Sequence, residues 1–267
     1  MADRYAVIGH PVAHSKSPWI HAEFARQTRQ NLSYERLESP LEGFERTVDG
    51  FRAAGGRGAN VTLPFKEQAF LYCRDAVSDR ARAAGVVNTL IFEGRSARGD
   101  NTDGVGLLRD LSVNLGCTLA GRRVLLMGAG GAAQGVLAPL LAAGPRRLVV
   151  ANRSAHKARA LARRYGAAAG GGYDEFRGER FDLLINATSA GLAGEAPPVA
   201  AAAFAPGALG YDMVYGRDTP FLALARAAGA AAHDGSGMLV EQAAESFLLW
   251  RGLRPDTAPV LAALRRG

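Results

Sequence analysis

Short apolar runs alternate with amphipathic stretches along this chain, and their order changes near residue 104. In the first part the pattern predicts a strand at YAVIG (5–9), a helix near 17–30 and another near 41–54. A strand within GANVTLP (58–64), a helix from about Pro64 and a strand at VVNTLIF (86–92) follow. The polar turn GDNTDG (99–104) closes this α/β stretch. From about 105 a helix leads into RRVLLMGAGGAAQGVLAPLLAAG, and RRLVVANR, FDLLINATSAG, LGYDMVYG and AAHDG come after it at βα spacing. Strand, glycine turn, helix and strand in repetition predict a parallel, doubly wound sheet. The end of the chain, from Met238 to about Arg251 and again near 256–265, reads as helical. Its pattern allows it to pack on either half.

Composition narrows the class. A chain of 267 residues, 48% hydrophobic and 21% charged, has material for one large or two modest domains and is not a disordered polymer. No apolar run is long enough for a membrane span, and MADRYAVIGHPV lacks the character of a signal peptide. Cys73 and Cys117 cannot make a disulfide scaffold, and neither they nor the five histidines show metal-ligand spacing. A soluble cytoplasmic protein without a metal is the expectation. The net charge of +7 is carried by scattered arginine pairs rather than a basic run, so neither nucleic acid nor a membrane surface is expected as a partner. A weak field favouring small anions remains. Only three of the 32 basic residues are lysines: Lys16, Lys66 and Lys157. Where arginine fills almost every cationic position, a lysine is a candidate for work arginine cannot do, such as releasing a proton near neutral pH.

The strand at 122–127 runs into Gly128, Ala129, Gly130, Gly131, Ala132 and Ala133 and then an apolar helix. A glycine-rich turn between a strand and a helix is the context of a dinucleotide fingerprint. Gly128 permits the tight turn, Gly130 lets backbone approach a pyrophosphate, and Ala133 is the small packing residue. The phosphates would meet the exposed N–H groups of the helix start. The next strand decides between NAD and NADP. It ends in Asn152, Arg153 and Ser154, with Lys157 three residues on, and carries no acid to hold a ribose 2′-hydroxyl. Two cations and a hydroxyl suit a 2′-phosphate, which predicts NADP.

Four further clusters are dense in short polar residues: His14-Ser15-Lys16-Ser17-Pro18, Asn60-Val61-Thr62-Leu63-Pro64-Phe65-Lys66, Val87-Asn88-Thr89 and Gly99-Asp100-Asn101-Thr102-Asp103-Gly104. They suit a small polyhydroxylated acid, whose donors and acceptors must each be matched. Capping by Ser15 or Ser17 and turn chemistry at Asn101 or Asp103 are the plainer readings of the same residues.

With GANVTLPFKE, VVNTL, GDNTDGVG, GAGGAA, NRS, NATSAG, YDMVY and GSGMLVEQA in order along its length, the chain resembles the shikimate dehydrogenases. The resemblance implies a substrate domain of residues 1–104 and 239–267, an NADP-binding Rossmann domain of residues 105–238, and a cleft between them. It also implies NADP-dependent interconversion of 3-dehydroshikimate and shikimate, a step of chorismate and aromatic amino-acid biosynthesis, by a monomer or homodimer. Position by position, it makes Lys66 and Asp103 the catalytic pair. Ser15, Ser17 and Tyr215 would hold the substrate carboxylate, and Asn60, Thr62, Asn88 and Gln242 its ring oxygens. Gly128 to Ala132 would bind the pyrophosphate and Asn152 to Lys157 the adenosine phosphate. Asp79, Thr188, Met213 and Gly235 would lie near the cofactor, although no physical reason places an acid such as Asp79 beside a phosphate.

Hydride transfer to a ketone creates alkoxide charge that must receive a proton, a task that falls to Lys66. In the first turn of a helix the dipole disfavours its ammonium, while a nearby Asp103 favours it. A structural salt bridge is the competing reading of the pair. A quinate/shikimate dehydrogenase of relaxed specificity and a non-catalytic NADP-binding regulator remain open as alternatives.

Overall fold

The strand β1 (Asp3–Gly9) is apolar without alternation, and Tyr5, Ala6, Val7 and Ile8 are all buried, as befits a strand covered on both faces. It is followed by α1 (Ser17–Thr28), β2 (Leu32–Glu38), α2 (Phe44–Ala53), β3 (Gly56–Val61), α3 (Lys66–Tyr72), α4 (Asp79–Ala84), β4 (Thr89–Glu93) and β5 (Ser96–Asp100). The five strands form one sheet in the order β2-β1-β3-β4-β5. β1 pairs in parallel with β2 and β3, whereas β4 runs antiparallel to both β3 and β5. The computed structural model describes residues 2–94, 96–166 and 169–266.

Three of these elements are absent from the hydropathy pattern. β2 is an edge strand whose residues include Glu35, Arg36 and Glu38, so it buries too little apolar surface to announce itself. α4 has six residues and is held at its start by Ser78, whose hydroxyl accepts the Ala81 N–H. β5 and the helix beginning at Asp103 take most of the stretch expected as a polar turn, which shrinks to Asn101 and Thr102. The strand expected at 86–92 begins only at Thr89.

α5 (Asp103–Arg109) runs on through a wide helical turn, Asp110–Asn114. Then come β6 (Arg123–Met127), α6 (Gly131–Ala142), β7 (Arg147–Ala151), α7 (Ala155–Tyr165), β8 (Ala169–Gly171), β9 (Phe181–Asn186), β10 (Phe204–Asp212), α8 (Pro220–Ala227) and β11 (Ala231–His233). Their six-stranded sheet has the order β11-β10-β9-β6-β7-β8 and every pairing is parallel. The order reverses at β6, which is flanked by β7 and β9; this is the doubly wound dinucleotide topology. One face buries Val124, Leu126, Leu183 and Ile185 against Val136, Leu137 and Leu140 of α6, and the other buries Leu125, Val149 and Leu184 with Phe204 and Phe221. β8, Ala-Gly-Gly, has almost no side chain to signal a strand.

The chain ends in α9 (Ser236–Arg251) and α10 (Ala258–Leu264). It divides into two units, one of residues up to Gly106 together with those from Leu239 onward, the other Leu107–Met238. The late helices join the first unit for two reasons. Val240, Ala243, Ala244 and Phe247 of α9, with Val260 and Leu261 of α10, pack against Ile20 and Phe24 of α1. Arg80 also bridges Asp100 and Glu245, while Arg254 binds Glu241 and Glu245. Cys73 and Cys117 are free and buried, and burial pushes the Cys73 thiol up to about 12, far from the thiolate form.

Candidate active site

Lys66 is the first residue of α3, and Asp103 the first of α5. β3 and β4 carry the chain between them: Asn60 pairs with Thr89, and Thr89 with Asp100. That register brings together residues 37 apart in sequence. Lys66 Nζ donates to Asp103 Oδ2 at 2.5 Å, with the two side chains 13% and 6% exposed. The other carboxylate oxygen, Oδ1, accepts from Asn88 Nδ2 at 2.8 Å. The Lys66 ammonium has no further hydrogen-bond partner among the described residues, so two of its three N–H donors are unused. A salt bridge made only for stability would gain by satisfying them.

Asn60 and Asn88 both lie in this network. The Asn60 amide nitrogen donates to Ser246 Oγ (2.9 Å) and to the Asn88 carbonyl (3.2 Å), and its oxygen accepts from Tyr34 OH (2.7 Å). Asn88 Oδ1 accepts from the Thr102 N–H and the Thr89 hydroxyl, both at 2.8 Å. Gln242 reaches the group through Thr102, 3.4 Å from its Oε1. Thr62 is half-buried between β3 and α3; its N–H donates to Ile8 O and its carbonyl accepts the Phe65 N–H.

Ser15 and Ser17 are buried at the start of α1 in the same unit. The expected helix cap is corrected: the cap position is Lys16, whose side chain makes no capping bond, and Ser15 Oγ accepts the Ser17 N–H at 3.3 Å. Neither serine hydroxyl donates to another described residue. Arg36 holds this loop by donating from Nε and Nη2 to the Ser15 carbonyl, at 2.9 and 2.6 Å. Asn101 is the turn residue expected, accepting the Asp103 N–H and donating to Val86 O.

Tyr215, half-buried just past β10, belongs to the second unit. So do the residues assigned to the nucleotide, except Asp79, which lies in the first unit. Gly128 ends β6 with φ +114°, a region open to glycine, and an added Cβ would lie 3.0 Å from Ala187 O. Gly130 caps α6, and a Cβ there would project into open space. Ala129, Gly131 and Ala132 complete the turn and the first residues of the helix, whose leading N–H groups have no helical acceptor. Asn152 follows β7, Ser154 caps α7, and Arg153 and Lys157 are exposed with no ion-pair partner among the described residues. This end of the sheet fits a phosphorylated dinucleotide: small residues and free amides at one turn, free cations and no carboxylate at the next.

Thr188 follows β9, where its N–H and hydroxyl both bind Asn186 Oδ1. Met213 N–H donates to Asn186 O, and Gly235 packs so tightly on the Met213 backbone that a side chain would clash. Asp79 is an exposed residue in the first turn of α4, where the helix dipole favours an acid. Nothing around it indicates a nucleotide.

Ser246, Tyr34 and Arg36 went unnoticed in the sequence. Ser246 is the one with a signal, since it stands four residues after Gln242 on the same face of a helix. Among the described residues no group of three or more His, Cys, Asp or Glu can hold a metal.

A sheet built to bind a dinucleotide, and a separate unit holding an ammonium against a carboxylate with donors to spare, define a dinucleotide-dependent oxidoreductase. The comparisons make this specific. Family profiles described as the shikimate dehydrogenase substrate binding domain, shikimate/quinate 5-dehydrogenase and the shikimate 5′-dehydrogenase C-terminal domain match residues 7–90, 111–193 and 235–265. The chain is 60% identical to the NADP(+) shikimate dehydrogenase of Aromatoleum aromaticum, over 99% of this chain and 97% of that one. It is 57% identical to that of Dechloromonas aromatica, over 99% and 98%. The shikimate 5-dehydrogenase of Thermus thermophilus, solved with NADP(H) and shikimate, superposes with a TM-score of 0.89 at 38% identity, covering 99% of each chain. The chain belongs to the shikimate dehydrogenase family.

Proposed function

We propose that the protein interconverts 3-dehydroshikimate and shikimate with NADP as the hydride carrier. The observation that carries this reading is the buried Lys66–Asp103 pair, 2.5 Å apart, with two ammonium donors unused. When bound, NADPH supplies the hydride. Lys66 Nζ then gives its proton to the ketone oxygen as alkoxide charge develops there, and takes the proton back when the alcohol is oxidised. Asp103 fixes the position of Nζ and balances its charge. The hydroxyls of Ser15 and Ser17 donate to the substrate carboxylate. Asn60, Thr62, Asn88 and Gln242 match the ring oxygens; both asparagines already serve internal partners, so a ring hydroxyl shares those bonds.

The cofactor lies with its pyrophosphate on Gly128 to Ala132 and its 2′-phosphate against Asn152, Arg153, Ser154 and Lys157. Thr188, Met213 and Gly235 stand near it. Residues 1–104 with 239–267 form the substrate domain and 105–238 the nucleotide domain. The enzyme works in the cytoplasm as a monomer or homodimer, without nucleic acid or membrane partners. No helix among the described residues is long and apolar enough to cross a membrane.

The test is NADPH absorbance with shikimate and then quinate, each offered with NADP and with NAD. Turnover of shikimate with NADP, and little with NAD at equal low concentration, is the expected result. Equal use of quinate identifies a relaxed-specificity enzyme. Binding of NADPH without turnover of either acid overturns the reading in favour of a regulator.

A further inference from the structure

The orientation of the Asn88 amide decides whether Asp103 is supported, because only Nδ2, not Oδ1, can donate to the carboxylate. That orientation is over-determined. Oδ1 receives the Thr102 N–H and the Thr89 hydroxyl, both at 2.8 Å, so both of its lone pairs are used. Nδ2 sends one proton to Asp103 Oδ1 and the other to Thr102 Oγ1 at 2.9 Å.

The hydroxyl protons can then be followed one by one. Thr89 has given its only proton to Asn88, so at the 2.9 Å contact between Thr89 and Ser246 the donor is Ser246. Thr102 lies 3.2 Å from Ser246 Oγ. Its proton is also within reach of Asn88 Oδ1 (3.2 Å) and Gln242 Oε1 (3.4 Å), but the first is filled and the second is the longest of the three. Ser246 is back within 3.1 Å of the Gln242 carbonyl, a weaker use of its proton than the shorter bond to Thr89.

We infer that Asn88, Thr102, Ser246 and Thr89 form a closed ring of hydrogen bonds, all running in one direction, that holds the Asn88 amide for Asp103. The path is Asn88 Nδ2 to Thr102, Thr102 to Ser246, Ser246 to Thr89, and Thr89 back to Asn88 Oδ1. Each hydroxyl in it donates once and accepts at least once, so each bond polarises the next. Ser246, Thr89 and Thr102 are buried, and no bulk water replaces a missing link. Asn60 feeds the ring from outside, donating to Ser246. Ser246 comes from α9, 144 residues from Thr102, so closure of the ring requires the C-terminal helix. Ser246, Thr89 and Thr102 are positioning residues that act through Asn88 and Asp103. The inference rests on the proposed role of the Lys66–Asp103 pair.

The experiment breaks the ring at two links, separately and together: Ser246→Ala, Thr89→Val and the double variant, with Thr89→Ser as the conservative control. Each single break is expected to lower kcat by roughly 10-fold, less than the ~100-fold that a misplacement of about 1 Å can cost, with the KM for NADP unchanged. The double variant should lose little more than either single one, because a ring is opened by its first break. Thr89→Ser should recover most of the turnover that Thr89→Val loses. In ¹⁵N-labelled protein the Asn88 side-chain amide protons should exchange with water faster in both single variants, a readout independent of activity. Single variants within two-fold of the parent, or losses that multiply in the double variant, overturn the ring. If the parent does not turn over shikimate, the functional reading fails instead, and the amide exchange alone then decides whether the ring exists.

Discussion

The two units solve the problem of holding a ligand in opposite ways. In the mixed sheet the working groups are side chains, buried and wired to one another: Lys66 to Asp103, Asp103 to Asn88, Asn88 to Thr89 and Thr102. At the switch point of the parallel sheet they are main-chain amides and exposed cations with no ion-pair partner among the described residues, Arg153 and Lys157. The contrast follows from the task. A proton donor must be fixed to within a fraction of an ångström, which takes a complete network of buried bonds. A phosphate is a large, symmetric charge, and a free helix start with two exposed cations is enough to hold it.

The sharpest way to break this contrast is Lys66→Ala. Loss of the general acid should lower kcat by roughly 10²–10⁴-fold with little change in substrate KM. A loss below ten-fold in stopped-flow or steady-state assays would make the pair a salt bridge and nothing more.

The nucleotide end should respond differently. Replacing Arg153 and Lys157 together by alanine removes charge-assisted bonds worth about 1.5–3 kcal/mol each, so the KM for NADP should rise by roughly 100-fold or more. Turnover at saturation and the KM for NAD should stay nearly unchanged. Equal loss with both cofactors would remove these cations from the 2′-phosphate.

The smallest effect concerns the floor of the first site. His21 is fully buried, stacks 4.2 Å from the ring of Tyr34, and has no hydrogen-bond partner on either ring nitrogen among the described residues. Burial pulls its pKa from 6.5 to about 3, with the nearby Asn60 side chain opposing weakly. A depressed folded-state pKa means that the unfolded chain takes up the proton first. Its contribution is therefore fully present above about pH 6.5 and is lost as pH falls toward 3, at up to ~1.4 kcal/mol per pH unit. Urea unfolding at pH 7, 5.5 and 4.5 measures this slope, and His21→Gln should flatten it. An unchanged slope would show that other groups carry the acid sensitivity.

Much of this arrangement is legible in the residues alone. The doubly wound sheet, its glycine turn and the absence of an acid after β7 follow from local pattern, because backbone geometry and helix-end amides are local matters. Lys66 stands out because lysine is rare here. β2, α4 and β8 do not show, since an edge strand, a six-residue helix and Ala-Gly-Gly bury too little side chain to leave a period. Ser246 shows only faintly, through its place one helical turn after Gln242, and nothing local says that it meets Thr89 and Thr102.

What the sequence determined by itself was most of the strands and helices of the nucleotide unit, which cofactor they suit, and which short polar residues are available for chemistry. What only the tertiary structure decided was which of those residues meet. Bond formation between side chains 37 or 144 positions apart depends on strand register and on the docking of α9, and both are set by burial of whole faces rather than by any local run of residues.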